Sequence, residues 1–175
     1  MLKIGLTGNI GSGKTIVGRI FETLGIRVYY ADQKAKLFLS SPEIIVQIGQ
    51  TFGNAIFEKN NIISRKKLAN LVFLNSEKLH LLNKIVHPAV IADFESWLQE
   101  KNDFAFSIME SALLFDTGYS TLFNKLIIVS APEELRISRV MKRDGVSAKD
   151  VKMRMKNQIP EKDQINAKAS PFLIL

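Results

Sequence analysis

Eight consecutive residues, Gly8-Asn9-Ile10-Gly11-Ser12-Gly13-Lys14-Thr15, fit the pattern G-x-x-x-x-G-K-[ST]. The spacing has a mechanical basis. A loop that wraps a phosphate must turn its backbone N–H groups inward, and glycine permits the backbone angles this needs. Lys14 reaches the β and γ phosphates in such a loop, and the Thr15 hydroxyl can ligate Mg²⁺. A helix beginning near Lys14 adds the positive end of its dipole. Switches, motors and kinases share this loop, so it implies a nucleoside triphosphate without naming the reaction.

Other side chains narrow the chemistry. A kinase needs a carboxylate near the acceptor hydroxyl. Asp32 follows a short apolar run, Arg27–Ala31, at the edge where parallel sheets place their ligands. It also suits the N-cap of a helix over 33–39, and the two roles are compatible. Glu110 ends another apolar run and could hold Mg²⁺ through water or orient the acceptor. Asp116, six residues on, could face the same cleft, although Asp116-Thr117-Gly118 also reads as a turn. Arg136, Arg139 and Arg143 recur at spacings of three and four, which puts them on one helical face. Guanidinium forks match phosphate oxygens, and a lid carrying them would exclude water. The alternative is a surface ridge paired with Glu133 and Glu134. His80 and His87 have no close ligating neighbours and read as surface or packed residues.

These groups need a frame. Lys3–Thr7 reads as a buried strand, and Ile16, Val17, Ile20, Phe21 and Leu24 follow at helical spacing before Gly25. With Arg27–Ala31 as a second strand, this is a βαβ unit. The stretch 34–100 reads as mostly helical, with Ser64 and Ser76 as caps and a break at His87-Pro88. Asn60-Asn61 reads as a turn, and Phe52, Phe57, Phe73 and Phe94 read as core. Strand character returns at 104–109 and 126–129. A helix follows Pro132, Ser147 to Asp150 resembles a capping box, and 170–175 could be a last strand.

Composition bounds the rest. The chain has 175 residues, 46% of them hydrophobic and 23% charged, which fits one globular domain with insertions. It has no cysteine, which excludes disulfides, thiolate metal sites and cysteine nucleophiles. The start is too short and too soon broken by glycine for a signal peptide, and no apolar run approaches a membrane span, so a cytoplasmic location is expected. The net charge is +7, and residues 125–168 carry +5 of it. Polyphosphate ligands account for that charge without a nucleic-acid partner, because no recognisable nucleic-acid motif is present.

The residues resemble the dephospho-CoA kinase family across nearly the whole chain. Gly5 to Thr15 looks like its opening, and Ala31-Asp32 like the end of its Asp-Ala-Asp motif. Arg65-Lys66-Lys67-Leu68, Val72-Phe73 and Ile85-Val86-His87-Pro88 resemble its middle region. Leu113-Leu114-Phe115-Asp116 resembles its Leu-Leu-Phe-Glu motif, and Arg139, Arg143-Asp144-Gly145, Arg154 and Gln158 resemble its lid. Tyr30, Glu110, Ala112, Asp116 and Arg136 differ from the family's usual aspartate, aspartate, proline, glutamate and glutamine. The family usually continues past an Ala-Asp motif, here Ala169-Ser170, into a final strand and helix. The sequence ends at Leu175, so part of an adenine pocket or a covering helix is expected to be absent.

The resemblance implies an α/β P-loop fold of three layers around a parallel sheet. A nucleotide core would comprise 1–38, 104–133 and 168–175, a helical CoA-binding insertion 39–103, and a lid 134–167. It implies transfer of the ATP γ-phosphate to the ribose 3′-hydroxyl of dephospho-CoA, giving CoA, with Mg²⁺, in a monomer. By position, Gly8, Asn9, Ile10, Gly11, Ser12, Gly13, Lys14, Thr15 and Ile16 would bind ATP. Asp32 would be the catalytic base, and Lys14, Arg139 and Arg143 would stabilise the phosphates. Arg65, His87, Glu110 and Leu114 would join Asp32 around the acceptor. The residues alone also admit another small-molecule or nucleotide kinase, or a nucleotide-dependent binding module.

Overall fold

A computed structural model of the chain describes residues 1–58, 62–73, 75–100, 104–115, 119–166 and 172–174. Asn60-Asn61, Asp116 and Ala169-Ser170 lie outside the described residues. The chain forms two compact units, Met1–Ala31 with Leu98–Leu175, and Asp32–Trp97. The segment expected to form a lid groups with the first unit.

The first unit is built on five parallel strands: β1 (Leu2–Thr7), β2 (Val28–Tyr30), β3 (Phe106–Glu110), β4 (Lys125–Ile128) and β5 (Phe172–Ile174). Their order across the sheet is β2-β3-β1-β4-β5. β1 is central, pairing Leu6 with Glu110 of β3 on one side and with Ile127 of β4 on the other. The chain leaves β1 toward β2 and later leaves β3 toward β4, in opposite directions. The sheet therefore reverses its winding beside β1, and ligands of open α/β sheets bind in the crevice at such a reversal.

Helix α1 (Lys14–Thr23) returns the chain from β1 to β2. Its apolar side, with Val17 and Phe21, packs on Leu6, Ile108, Ile127 and Val129. It stops as expected at Gly25. The Gly25 N–H bonds the Glu22 carbonyl and the Ile26 N–H bonds the Phe21 carbonyl, the paired closure of a left-handed C-terminus.

The second unit holds α2 (Ala31–Phe38), α3 (Pro42–Phe52), α4 (Arg65–Phe73) and most of α5 (Ser76–Gln99). It departs from the sequence reading at His87-Pro88 and at Ser76. The break at His87-Pro88 does not occur, because α5 runs through Pro88. Val86, Val90, Phe94 and Leu98 repeat every fourth residue across the proline, and all four are buried. Burying each gains about 1.5–3 kcal/mol. Together they outweigh the roughly 3 kcal/mol that an interior proline costs. Ser76 is not the cap of this helix but its first residue. The Asn75 carboxamide oxygen, one position earlier, accepts from the Lys78 N–H.

Helices α6 (Glu133–Asp144), α7 (Ala148–Lys156) and α8 (Glu161–Asn166) lie between β4 and β5 in the chain. The capping box at Ser147 forms as read, with Ser147 and Asp150 bonding reciprocally. Among the described residues no helix is long and apolar enough to cross a membrane.

The cap assignment is testable by urea unfolding. Asn75→Ala should cost about 1 kcal/mol, the usual loss for a cap, whereas Ser76→Ala should change stability by less than about 0.5 kcal/mol. The reverse order would return the cap to Ser76.

Candidate active site

The phosphate loop leaves the end of β1 and enters α1 through Gly13, whose φ of 107° lies in the left-handed region. The first turn of α1 holds no acidic residue, so its positive end stays available to an anion. The loop is fixed from outside. The Arg139 guanidinium donates from Nη1 to the carbonyls of Gly11 (3.2 Å) and Ser12 (3.1 Å). The Ile10 N–H donates to Oε1 of Gln158 at 2.8 Å. Gln164 is buried and donates to Asn9 Oδ1 at 2.7 Å. Gly11 has φ +80°, and a Cβ there would stand 2.6 Å from the Arg136 carbonyl oxygen. The loop tip thus rests on the backbone of α6.

Lys14 Nζ lies 3.8 Å from Glu110 Oε1, and both side chains are mostly buried. The separation is an ion pair rather than a tight hydrogen bond, so the ammonium can turn to a phosphate without breaking a short contact. Thr15, the second residue of α1, is partly exposed, and Ile16 is largely exposed. Tyr30 ends β2, paired in register with Glu110. Its hydroxyl donates to Glu22 Oε2 at 2.8 Å. Burial and that bond push its pKa up, so the phenol stays neutral.

The three arginines of α6 have different environments. Arg136 is buried, with Nε donating to the Ala131 carbonyl, so it braces the start of the helix. Arg139 grips the loop. Arg143 is more exposed and forks onto Asp144, which also receives Arg154. Those bonds, Arg143's first, hold the Asp144 carboxyl below its usual range. Leu114 is buried against Gly5 of β1, where a Cβ would stand 2.8 Å from its side chain. Among the described residues there is no group of three or more acidic or histidine side chains that could hold a metal alone.

Three expected acceptor residues lie in the helical unit. Asp32 is the second residue of α2, inside the helix rather than capping it. Arg65 opens α4 and donates from Nη2 to the Lys36 carbonyl at 3.2 Å. His87 is half-buried on α5. Burial lowers its pKa, and the nearby Asp32 carboxylate pulls the other way.

Gln164 and the carbonyl of Arg136 were not readable as site elements. A lone glutamine on a six-residue polar helix carries no pattern, and a backbone contact carries no side-chain signature.

A family model described as dephospho-CoA kinase matches residues 2–172. The chain belongs to the dephospho-CoA kinase family. A Porphyromonas gingivalis protein named dephospho-CoA kinase is 42% identical over 170 residues, covering 97% of this chain and 82% of the relative. A solved dephospho-CoA kinase from Campylobacter jejuni is 30% identical, with a TM-score of 0.63, over 99% of this chain and 86% of that one. A solved Thermus thermophilus protein is 32% identical, with a TM-score of 0.83, over 99% and 88% of the two chains. The fold is the α/β fold of P-loop kinases.

The contact between the loop tip and α6 can be tested directly. Gly11→Ala places a Cβ against backbone at a positive φ, a strain of about 1–3 kcal/mol. ATP affinity measured by calorimetry should fall at least tenfold, and unchanged affinity would show that the tip can move away from α6. His87 gives a second test, because its folded pKa lies below the ordinary 6.5. The folded state then binds its proton less readily than the unfolded chain. The stability His87 contributes is complete above pH 6.5 and is lost as pH falls through 6.5 toward the folded value. Thermal melts between about pH 7.5 and 5 should show a steeper decline for the wild type than for His87→Gln, and equal declines would remove this role.

Proposed function

We propose that the chain phosphorylates the ribose 3′-hydroxyl of dephospho-CoA with ATP, and that its residues divide the work as follows. The loop Gly8–Thr15 seats the β and γ phosphates with its N–H groups, and Lys14 follows the γ-phosphoryl group as charge shifts. Arg139 keeps the loop in shape, and Arg143, exposed near the end of α6, completes the charge balance. Asp32 accepts the proton of the 3′-hydroxyl while the ribose 3′-oxygen bonds to the γ phosphorus. The bond from that phosphorus to the bridging oxygen breaks, and ADP leaves. Arg65 and His87 position the acceptor in the helical unit.

The donor set suits Mg²⁺. Thr15 offers a hydroxyl at the start of α1, and Glu110 offers a buried carboxylate beside Lys14, both hard oxygen ligands. Mg²⁺ bound with ATP would neutralise phosphate charge there. Leu114 acts through the position of its loop, since its side chain is committed to Gly5. The segment α6–α8 is the proposed lid, and the helical unit the proposed CoA-binding domain. Their expected limits are 134–167 and 39–103.

The single observation that carries this reading is the built phosphate loop with Lys14 beside Glu110, in a chain of this family. The test is ADP release with ATP, Mg²⁺ and dephospho-CoA, with CoA identified by mass. Release without an acceptor, or with AMP in its place, should be negligible. Asp32→Asn should keep the KM for ATP and lose about 10²- to 10⁴-fold in kcat, the range for a positioned general base. Near-normal turnover in that variant would remove Asp32 as the base.

A further inference from the structure

The helical unit contains a cavity of about 270 Å³, walled by α2, α3 and α5 and by residues that follow α2. Phe38, Ile44, Pro88 and Ala89 give it apolar walls, and Gln47 and Lys84 give it polar ones. It approaches the size and the mixed lining of a small-molecule site.

Pro88 gives this cavity a particular chemistry. In an α-helix the carbonyl of residue 84 accepts from the N–H of residue 88. Pro88 has no N–H to give. Pro88 and Lys84 both line the cavity, and residue 84 is the one whose carbonyl loses its helical donor to the proline. The proline stands inside a helix continuous over 24 residues.

The same two helices carry the acceptor residues. Asp32 is the second residue of α2, and Phe38 ends it six residues later, about 9 Å along the axis. His87 precedes Pro88 on α5. Dephospho-CoA has a matching layout. Its reacting hydroxyl sits on the ribose, and an arm leaves through the 5′-diphosphate carrying two amide groups, a gem-dimethyl carbon and a terminal thiol. An amide N–H requires a carbonyl acceptor, and the dimethyl carbon and thiol require apolar walls.

We propose that this cavity receives the pantetheine arm of dephospho-CoA, and that Pro88 opens the Lys84 carbonyl to accept one of the arm's amide N–H groups. The inference rests on Asp32 being the base, and it adds the part of the acceptor that does not react.

Two variants test it by steady-state kinetics on the full chain. Pro88→Ala restores an N–H at residue 88, which recloses the Lys84 carbonyl within the helix. The variant should melt no lower than wild type. Its KM for dephospho-CoA should rise about five- to tenfold, the worth of one hydrogen bond, with kcat and the KM for ATP unchanged. Ala89→Phe fills the cavity and should raise the same KM at least tenfold, again without touching the KM for ATP. If neither variant moves the KM for dephospho-CoA, the cavity is a packing gap and the proposal falls. It falls equally if either variant lowers kcat and raises both KM values together, because the change would then be one of general structure. Failure of Asp32 as the base is separately visible, since Asp32→Asn acts on kcat alone.

Discussion

The pairing of Leu6 with Glu110 sets the geometry on which the nucleotide side of this protein depends. β1 and β3 run parallel, so both end at the same edge of the sheet. β1 runs straight into the phosphate loop, and β3 delivers its last carboxylate alongside. A register shift of one residue would turn Glu110 to the opposite face and remove the anion that holds Lys14 between turnovers. The strand ends are pinned on both flanks, by the Ser111 N–H on the Leu6 carbonyl and the Val129 N–H on the Thr7 carbonyl. The loop therefore starts from a point with little freedom, and only its own backbone remains to be shaped.

Shaping that backbone creates a second demand. When N–H groups turn inward to meet phosphate, carbonyls turn outward, and those near the protein interior need donors. Arg139 supplies them to Gly11 and Ser12, and the Ser12 N–H closes a turn on the Asn9 carbonyl. Gln164 and Gln158 hold the opposite limb through Asn9 and Ile10. Arg139 of α6 and Gln164 of α8 donate, and Gln158, between α7 and α8, accepts from the Ile10 N–H. The part of the chain that carries Arg136, Arg139 and Arg143 is thus the part that holds the loop in shape. Those hydrogen bonds tie this segment to the loop directly.

The legible features share one property: each is a local pattern. The phosphate loop is eight contiguous residues, the strands are short apolar runs, and the capping box at Ser147 is a four-residue signature. All of them stand where the sequence places them. The misread features have different causes. Pro88 reads as a break because the local rule is sound, yet burial of Val86, Val90, Phe94 and Leu98 over four turns overrides it. Ser76 reads as a cap because serine is good at that role, but the neighbouring Asn75 takes it. The helical spacing of Arg136, Arg139 and Arg143 is real, yet spacing alone cannot tell that the first is buried as a brace. The acceptor roles of Arg65 and His87 come from the family resemblance, since neither residue sits in a pattern with chemistry of its own.

Placing the proposed acceptor residues in a helical unit and the phosphate loop in the sheet unit would answer a chemical problem. A preformed site open to water would transfer the γ-phosphoryl group to water as readily as to the acceptor. If Asp32 belongs with the acceptor unit, the base is supplied on the same body as the hydroxyl it deprotonates. A bound nucleotide alone then lacks the group that activates an attacking oxygen. Binding energy from the non-reacting part of the acceptor can then serve to orient its hydroxyl. That logic gives a function to a cavity away from the chemistry. A proline in a 24-residue helix is unfavourable for folding and becomes intelligible once its missing N–H is counted as a binding feature.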